Sequence, residues 1–298
     1  MTQAIQKKLN DSAFARWTAL ILVALTMFFG YMFVDVLSPL QNMLESTRGW
    51  SPTIFGLYGG SEFILNVCGF LLVAGIILDK MGVRFTGILS ASLMVLGAGI
   101  KFYGLSNYFY EGGFGYEFLS SFLTDIPASA KLACLGFMVF GCGTEMAGVT
   151  VSRAIVKWFT GKELALAMGL EMAIARLGVF AVFSLSPWVA NWGGDPSVAR
   201  PVAVVGLLLC IGLLTYIAFS VMDFKLDRQT EADTPIGETE EPFKVADLKN
   251  LFSSKTFLIV SALCVLYYSA IFPFQRFATG MLESLSLIHI SEPRDRQK

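Results

Sequence analysis

Seven ionisable side chains, Asp35, Glu62, Lys101, Glu145, Arg153, Glu171 and Arg176, stand inside long apolar runs of the chain. A charge in hydrocarbon costs at least ~2.5 kcal/mol on insertion scales, so each of them requires a partner or a cavity. Glu145 and Arg176 have the types and spacing that suggest chemistry. Counting from the neighbouring polar turns at 1.5 Å per residue puts Glu145 about 18 Å from Lys157 and Arg176 about 20 Å from Glu163. The two therefore reach one depth, near the middle of a bilayer, on consecutive antiparallel helices. At that depth a carboxylate and a guanidinium either neutralise each other or stand apart across a cavity and take the two ends of a zwitterion. Arginine suits the second role because its planar fork receives a carboxylate bidentately.

The remaining charges are less specific. Asp35 and Glu62 lie about 25 to 27 Å from the cytoplasmic end at helical rise, with Asn66 one turn below Glu62 on the same face. Gating or proton coupling and plain interfacial exposure are both open for this acidic pair. Glu171 is placed to pair with Arg153, and Lys101 to snorkel to the outer surface. Tyr31 and Tyr58 are carried as candidate substrate contacts, and Phe63 and Trp158 as further cavity candidates. Bundle filling is the alternative for all four. Trp50 and the Asn191–Trp192 pair read as interfacial residues.

These residues need long apolar helices to position them, and the punctuation supplies seven. They run from about Trp17 to Leu40, Pro52 to Leu78, Arg84 to Leu105, Ser129 to Val156, Leu164 to Val189, Val202 to Met222 and Phe257 to Phe274. Each comes near the roughly 20 residues that a hydrocarbon core demands. Lysine and arginine gather on alternate sides: Lys7, Lys8, Arg16, Lys80, Arg84, Lys157 and Lys162 on one, little beyond Arg48 and Arg200 on the other. The positive-inside rule then makes the N-terminus cytoplasmic. Small residues at Gly136, Gly141, Gly143, Ala147 and Gly148, and at Gly56, Gly59 and Gly60, predict close helix packing. The loop Asn107–Asp125 is rich in glycine and aromatic residues and is expected to lie in the membrane interface.

Composition agrees. Of 298 residues 55% are hydrophobic and 15% charged, against about 25% charged in soluble domains. A net charge of -1 without a basic aromatic patch speaks against nucleic acid. Cys68, Cys134, Cys142, Cys210 and Cys264 read as small buried hydrophobes. With His289 the only histidine, neither a histidine metal site nor a catalytic triad is expected, and no cofactor or enzymatic set is evident. The expected division is an N-terminal segment 1–16, a six-helix membrane domain 17–222, a cytoplasmic linker 223–256, and a seventh helix opening a second domain at 257–284. A short surface helix is expected at Phe243–Leu251. Residues 285–298 resemble translated adapter sequence, so the natural protein is expected to continue past the seventh helix.

Between the second and third helices lies Gly75-Ile-Ile-Leu-Asp79-Lys80-Met-Gly82-Val-Arg84. This resembles the signature turn of the major facilitator superfamily. The resemblance implies an all-α polytopic membrane protein, comprising the first six-helix domain and the seventh helix of that fold. It also implies that Gly75, Asp79, Lys80, Gly82 and Arg84 form a conformational charge network, although Val83 stands where a second basic residue is common. The segments Trp158–Gly169, Met172–Gly178 and Cys264–Phe274 resemble the branch of the superfamily that contains a lysosomal dipeptide transporter. There a transmembrane glutamate and an arginine bind opposite ends of a dipeptide, and Glu145 and Arg176 match those positions.

The expected function is secondary transport of dipeptides or similar small zwitterions by alternating access, in a bacterial inner membrane. The partners are the small-molecule substrate and membrane lipid. A monomer is expected, and the sequence carries no sign of the accessory glycoprotein that the resemblance associates with that branch. An organic anion transporter and a non-transporting membrane receptor or scaffold are the alternatives.

Overall fold

The computed structural model describes residues 8–231 and 252–284. The expected surface helix at Phe243–Leu251, most of the linker, His289 and the tail lie outside them. Among the described residues every regular element is helical. Five long helices, α1 (Ala13–Val34), α7 (Ala128–Phe159), α8 (Leu164–Ala190), α9 (Ala199–Glu231) and α10 (Lys255–Ser284), accompany the pair α3 (Pro52–Leu65) and α4 (Leu71–Leu105). Short helices α2 (Gln41–Arg48), α5 (Asn107–Tyr110) and α6 (Tyr116–Ser120) lie in the connections. The end of the bundle at which α1 begins is called the near face below, and the opposite end the far face.

Pro52–Leu105 is a continuous apolar stretch of 54 residues. As one straight helix it would measure about 80 Å, far beyond the ~30 Å of hydrocarbon. Gly82 breaks it, with φ 75° and ψ 174°, a conformation that side-chain-bearing residues avoid. The break turns the chain back at the near face and yields the second and third crossings that the sequence predicts. At the far face Ser51 caps α3 by accepting a hydrogen bond from the Ile54 amide, with Pro52 at the first helical position.

Helix α7 runs through the middle, and its small residues bring backbones into contact. A Cβ at Gly136 would lie 2.6 Å from the Lys101 amide nitrogen, and one at Gly143 2.6 Å from the Ser90 carbonyl. Gly141 meets the Glu62 carbonyl on the opposite side, so α7 is clamped between α3 and the second limb of α4. Gly148 faces open space. Helix α1 packs on α8 and α9, while Tyr216 on α9 lies over Gly87 and donates to the Val83 carbonyl at 3.1 Å. The loop between α4 and α7 forms two single turns that leave Phe114 and Phe118 exposed, as suits an interfacial segment.

Three expectations change. The sixth crossing does not give way to a linker at Asp223: α9 stays helical to Glu231, carrying Asp223 and Asp227. The seventh continues beyond Phe274, so Gln275 and Arg276 are helical residues. Of the cysteines only Cys142 is buried, Cys68 and Cys264 being exposed.

The backbone contacts generate a paired test. Gly97 abuts the Phe140 backbone, with its Cβ position 2.5 Å from the Gly136 carbonyl, whereas Gly99 on the same helix faces open space. Overpacking against backbone costs about 1–3 kcal/mol, and each kcal/mol shifts melting by roughly 2–4 °C at this size. Gly97→Ala is expected to lower the melting temperature in detergent by several degrees and Gly99→Ala to leave it in place. Equal melting of the two variants would refute the clamp.

Candidate functional site

Glu145 and Arg176 are each positioned by a small-residue contact. Gly143 seats α7 on α4 two residues before Glu145. Gly178 seats α8 on the Phe28 carbonyl of α1 two residues after Arg176. Tyr31 of α1 lies between, with the Arg176 guanidinium 5.2 Å from its ring centroid. Arg176, Glu145, Glu171 and Tyr268 all act electrostatically on the Tyr31 hydroxyl. Glu145 is half-buried and Arg176 exposed, and among the described residues no ion pair joins them. The arrangement therefore sets a carboxylate and a guanidinium on separate helices, with the Tyr31 ring against the exposed guanidinium. Such a site can receive two charges of opposite sign held a short chain apart.

Tyr58 does not share this opening. It is 1% exposed, stacks on Phe137 with ring centroids 4.7 Å apart and packs against Trp50 and Phe55. Trp50 is no interfacial residue either: it is fully buried and donates from Nε1 to the Ser129 hydroxyl at 3.0 Å. Glu171 is buried without the expected partner, because Arg153 faces Asp79 and bonds to it across the near face.

That Asp79–Arg153 pair opens a network around the Gly82 turn. One helical turn along α7, Lys157 bridges Asp223 at 2.8 Å and Asp227 at 2.6 Å. Arg84 approaches the same two carboxylates at 3.9 and 3.3 Å, and Trp158 donates to Asp223 at 2.9 Å. Asp223 is 1% exposed, so its charge is held by three neighbours in a dry setting. These partners all lie on α4, α7 and α9, and the network ties helix ends within one bundle. Lys80 is exposed and makes no ion pair among the described residues. Gly82 serves by its positive φ, while a Cβ at Gly75 would meet open space.

A second cluster closes the near face around the chain's start. Arg16 pairs with Glu163 at 3.1 Å, and Lys162 with Asp11 at 3.0 Å. The hydrogen bond from Lys162, then that from the Lys8 amide, holds the Asp11 carboxyl below the usual carboxylate range. Glu163 is lowered too, first by its own backbone amide and then by Arg16.

The acidic pair of the far half is neither exposed nor isolated. Asp35 and Glu62 are each 3% exposed. Glu62 bonds Arg276 of α10 at 2.6 Å, and Asp35 accepts from Gln275 at 2.6 Å and from the Ser38 hydroxyl at 3.0 Å. Lys101 does not snorkel. It is wholly buried, its ammonium 4.3, 5.0 and 4.5 Å from the ring centroids of Phe33, Tyr58 and Phe137.

Sequence reading missed Asp223, Asp227, Gln275 and Arg276. The signals were present: two aspartates one helical turn apart directly after an apolar run, and an arginine followed by more helix-forming apolar residues.

The major facilitator superfamily model matches residues 23–288. The lysosomal dipeptide transporter MFSD1 of chicken (Gallus gallus) is 35% identical over 145 residues, covering 47% of this chain and 32% of the relative. The protein of the same name from zebrafish (Danio rerio) is 36% identical over 146 residues, covering 47% and 31%. That from orangutan (Pongo abelii) is 27% identical over 271 residues, covering 87% of this chain and 52% of the relative. The chain thus spans about a third to a half of the length of the curated relatives it matches. With a helix break at Gly82, six apolar spans among the described residues and a family match over residues 23–288, this chain belongs to the major facilitator superfamily.

Proposed function

We propose that the chain supplies the first six-helix domain and the seventh helix of a secondary transporter that moves dipeptides or similar zwitterions by alternating access. The observation that supports the reading is that Glu145 and Arg176, with Tyr31 against the guanidinium, make no ion pair with each other or with another described residue. A dipeptide's ammonium would go to Glu145 and its carboxylate to Arg176, each charge replacing water with a fixed partner. Tyr31 would orient the guanidinium through its ring face. The names of the relatives supply the substrate class, and the basic near face favours a cytoplasmic N-terminus in a bacterial inner membrane. Asp35, Glu62, Glu171 and Arg153 are assigned to gating and coupling rather than to substrate contact.

Radiolabelled dipeptide uptake by the full-length parent in proteoliposomes tests the assignment. A hydrogen bond to a charged group contributes about 1.5–3 kcal/mol, so Arg176→Ala and Glu145→Gln should each raise KM at least about tenfold. Arg176→Lys should fall well short of wild type, because a lysine cannot offer the bidentate fork. Uptake by Arg176→Ala equal to wild type would sink the role of Arg176, and competition by organic anions but not by peptides would replace the substrate class.

The turn network separates stability from movement. Asp79 and Arg153 are 36% and 41% exposed at the side chain, and pairs so exposed contribute about 0–1 kcal/mol. Removing one partner of a buried pair instead costs about 3–5 kcal/mol, which is the situation of Asp223. Asp79→Asn should leave the melting temperature near wild type while slowing transport, whereas Asp223→Asn should lower it markedly. Equal destabilisation would show the turn to be a structural staple.

A further inference from the structure

Two buried cations approach one buried carboxylate in the far half. Arg276 holds Glu62 in a 2.6 Å bond. Lys101 approaches the same aromatic ring as Arg276: the Phe137 centroid lies 4.5 Å from the Lys101 ammonium and 5.1 Å from the Arg276 guanidinium carbon. Among the described residues the Lys101 nitrogen has no hydrogen-bond partner. Ring faces support a cation without fixing its direction. A fully buried, fully unbonded ammonium is costly, and the static pairing gives no reason for it.

The three groups differ in what holds their backbones. Glu62 is clamped to α7 through the contact of its carbonyl with Gly141, and Lys101 is clamped to the same helix through Gly136. Both belong to one scaffold. Arg276 does not: α10 touches the bundle through its far half, and its most apolar stretch is otherwise unburied. When α10 withdraws from the far face, Arg276 leaves with it and Glu62 cannot follow. A carboxylate stranded in that setting would oppose the movement strongly.

We infer that Lys101 is the second partner of Glu62: as α10 carries Arg276 away, the Lys101 ammonium leaves its ring cage and neutralises the carboxylate, so that the far gate opens without stranding a charge. Lysine fits the part because its long stem lets a compact charge travel while its Cα stays in place. Arg276 occupies the Glu62 carboxylate in the closed arrangement, and its departure leaves that carboxylate open to Lys101. This inference rests on the alternating-access reading above.

The test uses the full-length parent with spin labels on α2 at Glu45 and on α10 at Phe274, both exposed, and reads the distance distribution between them in liposomes. Wild type is expected to show a closed and an open population. Lys101→Met should lower the open-to-closed ratio at least about tenfold, since opening then strands Glu62. Lys101→Arg should retain opening, and the double variant Lys101→Met with Glu62→Gln should restore it, because a neutral side chain needs no cation. That rescue excludes simple misfolding of Lys101→Met. An open population unchanged in Lys101→Met, or its loss without rescue in the double variant, would overturn the exchange while leaving alternating access intact. A single distance in every variant, with and without dipeptide, would overturn both.

Discussion

Backbone contact along α7 is the constraint on which the rest of the structure depends. Gly136 and Gly143 admit the second limb of α4 on one side, and Gly141 admits α3 on the other. In a membrane no hydrophobic force draws helices together, so dispersion at close approach and polar bonds must do it. These contacts also fix the depth and facing of nearby charges: Glu62 opposite Gly141, Lys101 opposite Gly136, Glu145 just past Gly143. A side chain at any of the three glycines would displace a charged group as well as a helix.

Charges are then sorted by whether their partners move. Near-face carboxylates are satisfied within one bundle: Asp223 by Lys157, Trp158 and Arg84, and Asp79 by Arg153. In the far half Asp35 and Glu62 take their partners from α10. At mid-depth Glu145 and Arg176 have no ion-pair partner among the described residues. A low-dielectric interior makes those three conditions energetically distinct. Satisfied networks brace the helices that share them, and pairs shared with α10 tie that helix to the bundle.

The long apolar helices and the turn at Gly82 were legible because they follow from length, rise and hydropathy. The near-face signature was legible in its residues but not in its partners. Asp79 and Arg153 are far apart in the chain, and Asp223 looked like the start of a polar linker because local composition does not reveal that a continuing helix buries it against Lys157 and Trp158. Lys101 and Tyr58 misled for a related reason. Depth along a helix can be counted, but the direction a side chain faces depends on which neighbour packs there, and Phe33 and Phe137 come from two other helices.

The sequence by itself determined the long apolar helices and which of them carries each ionisable residue, since these depend on one-dimensional spacing. Only the tertiary structure decided which charges meet. Glu62 finds Arg276, Asp79 finds Arg153, and Glu145 stays apart from Arg176 because rotation about each helix axis is set by packing between helices, where glycine permits backbones to touch. Spacing fixes height, and contact fixes azimuth.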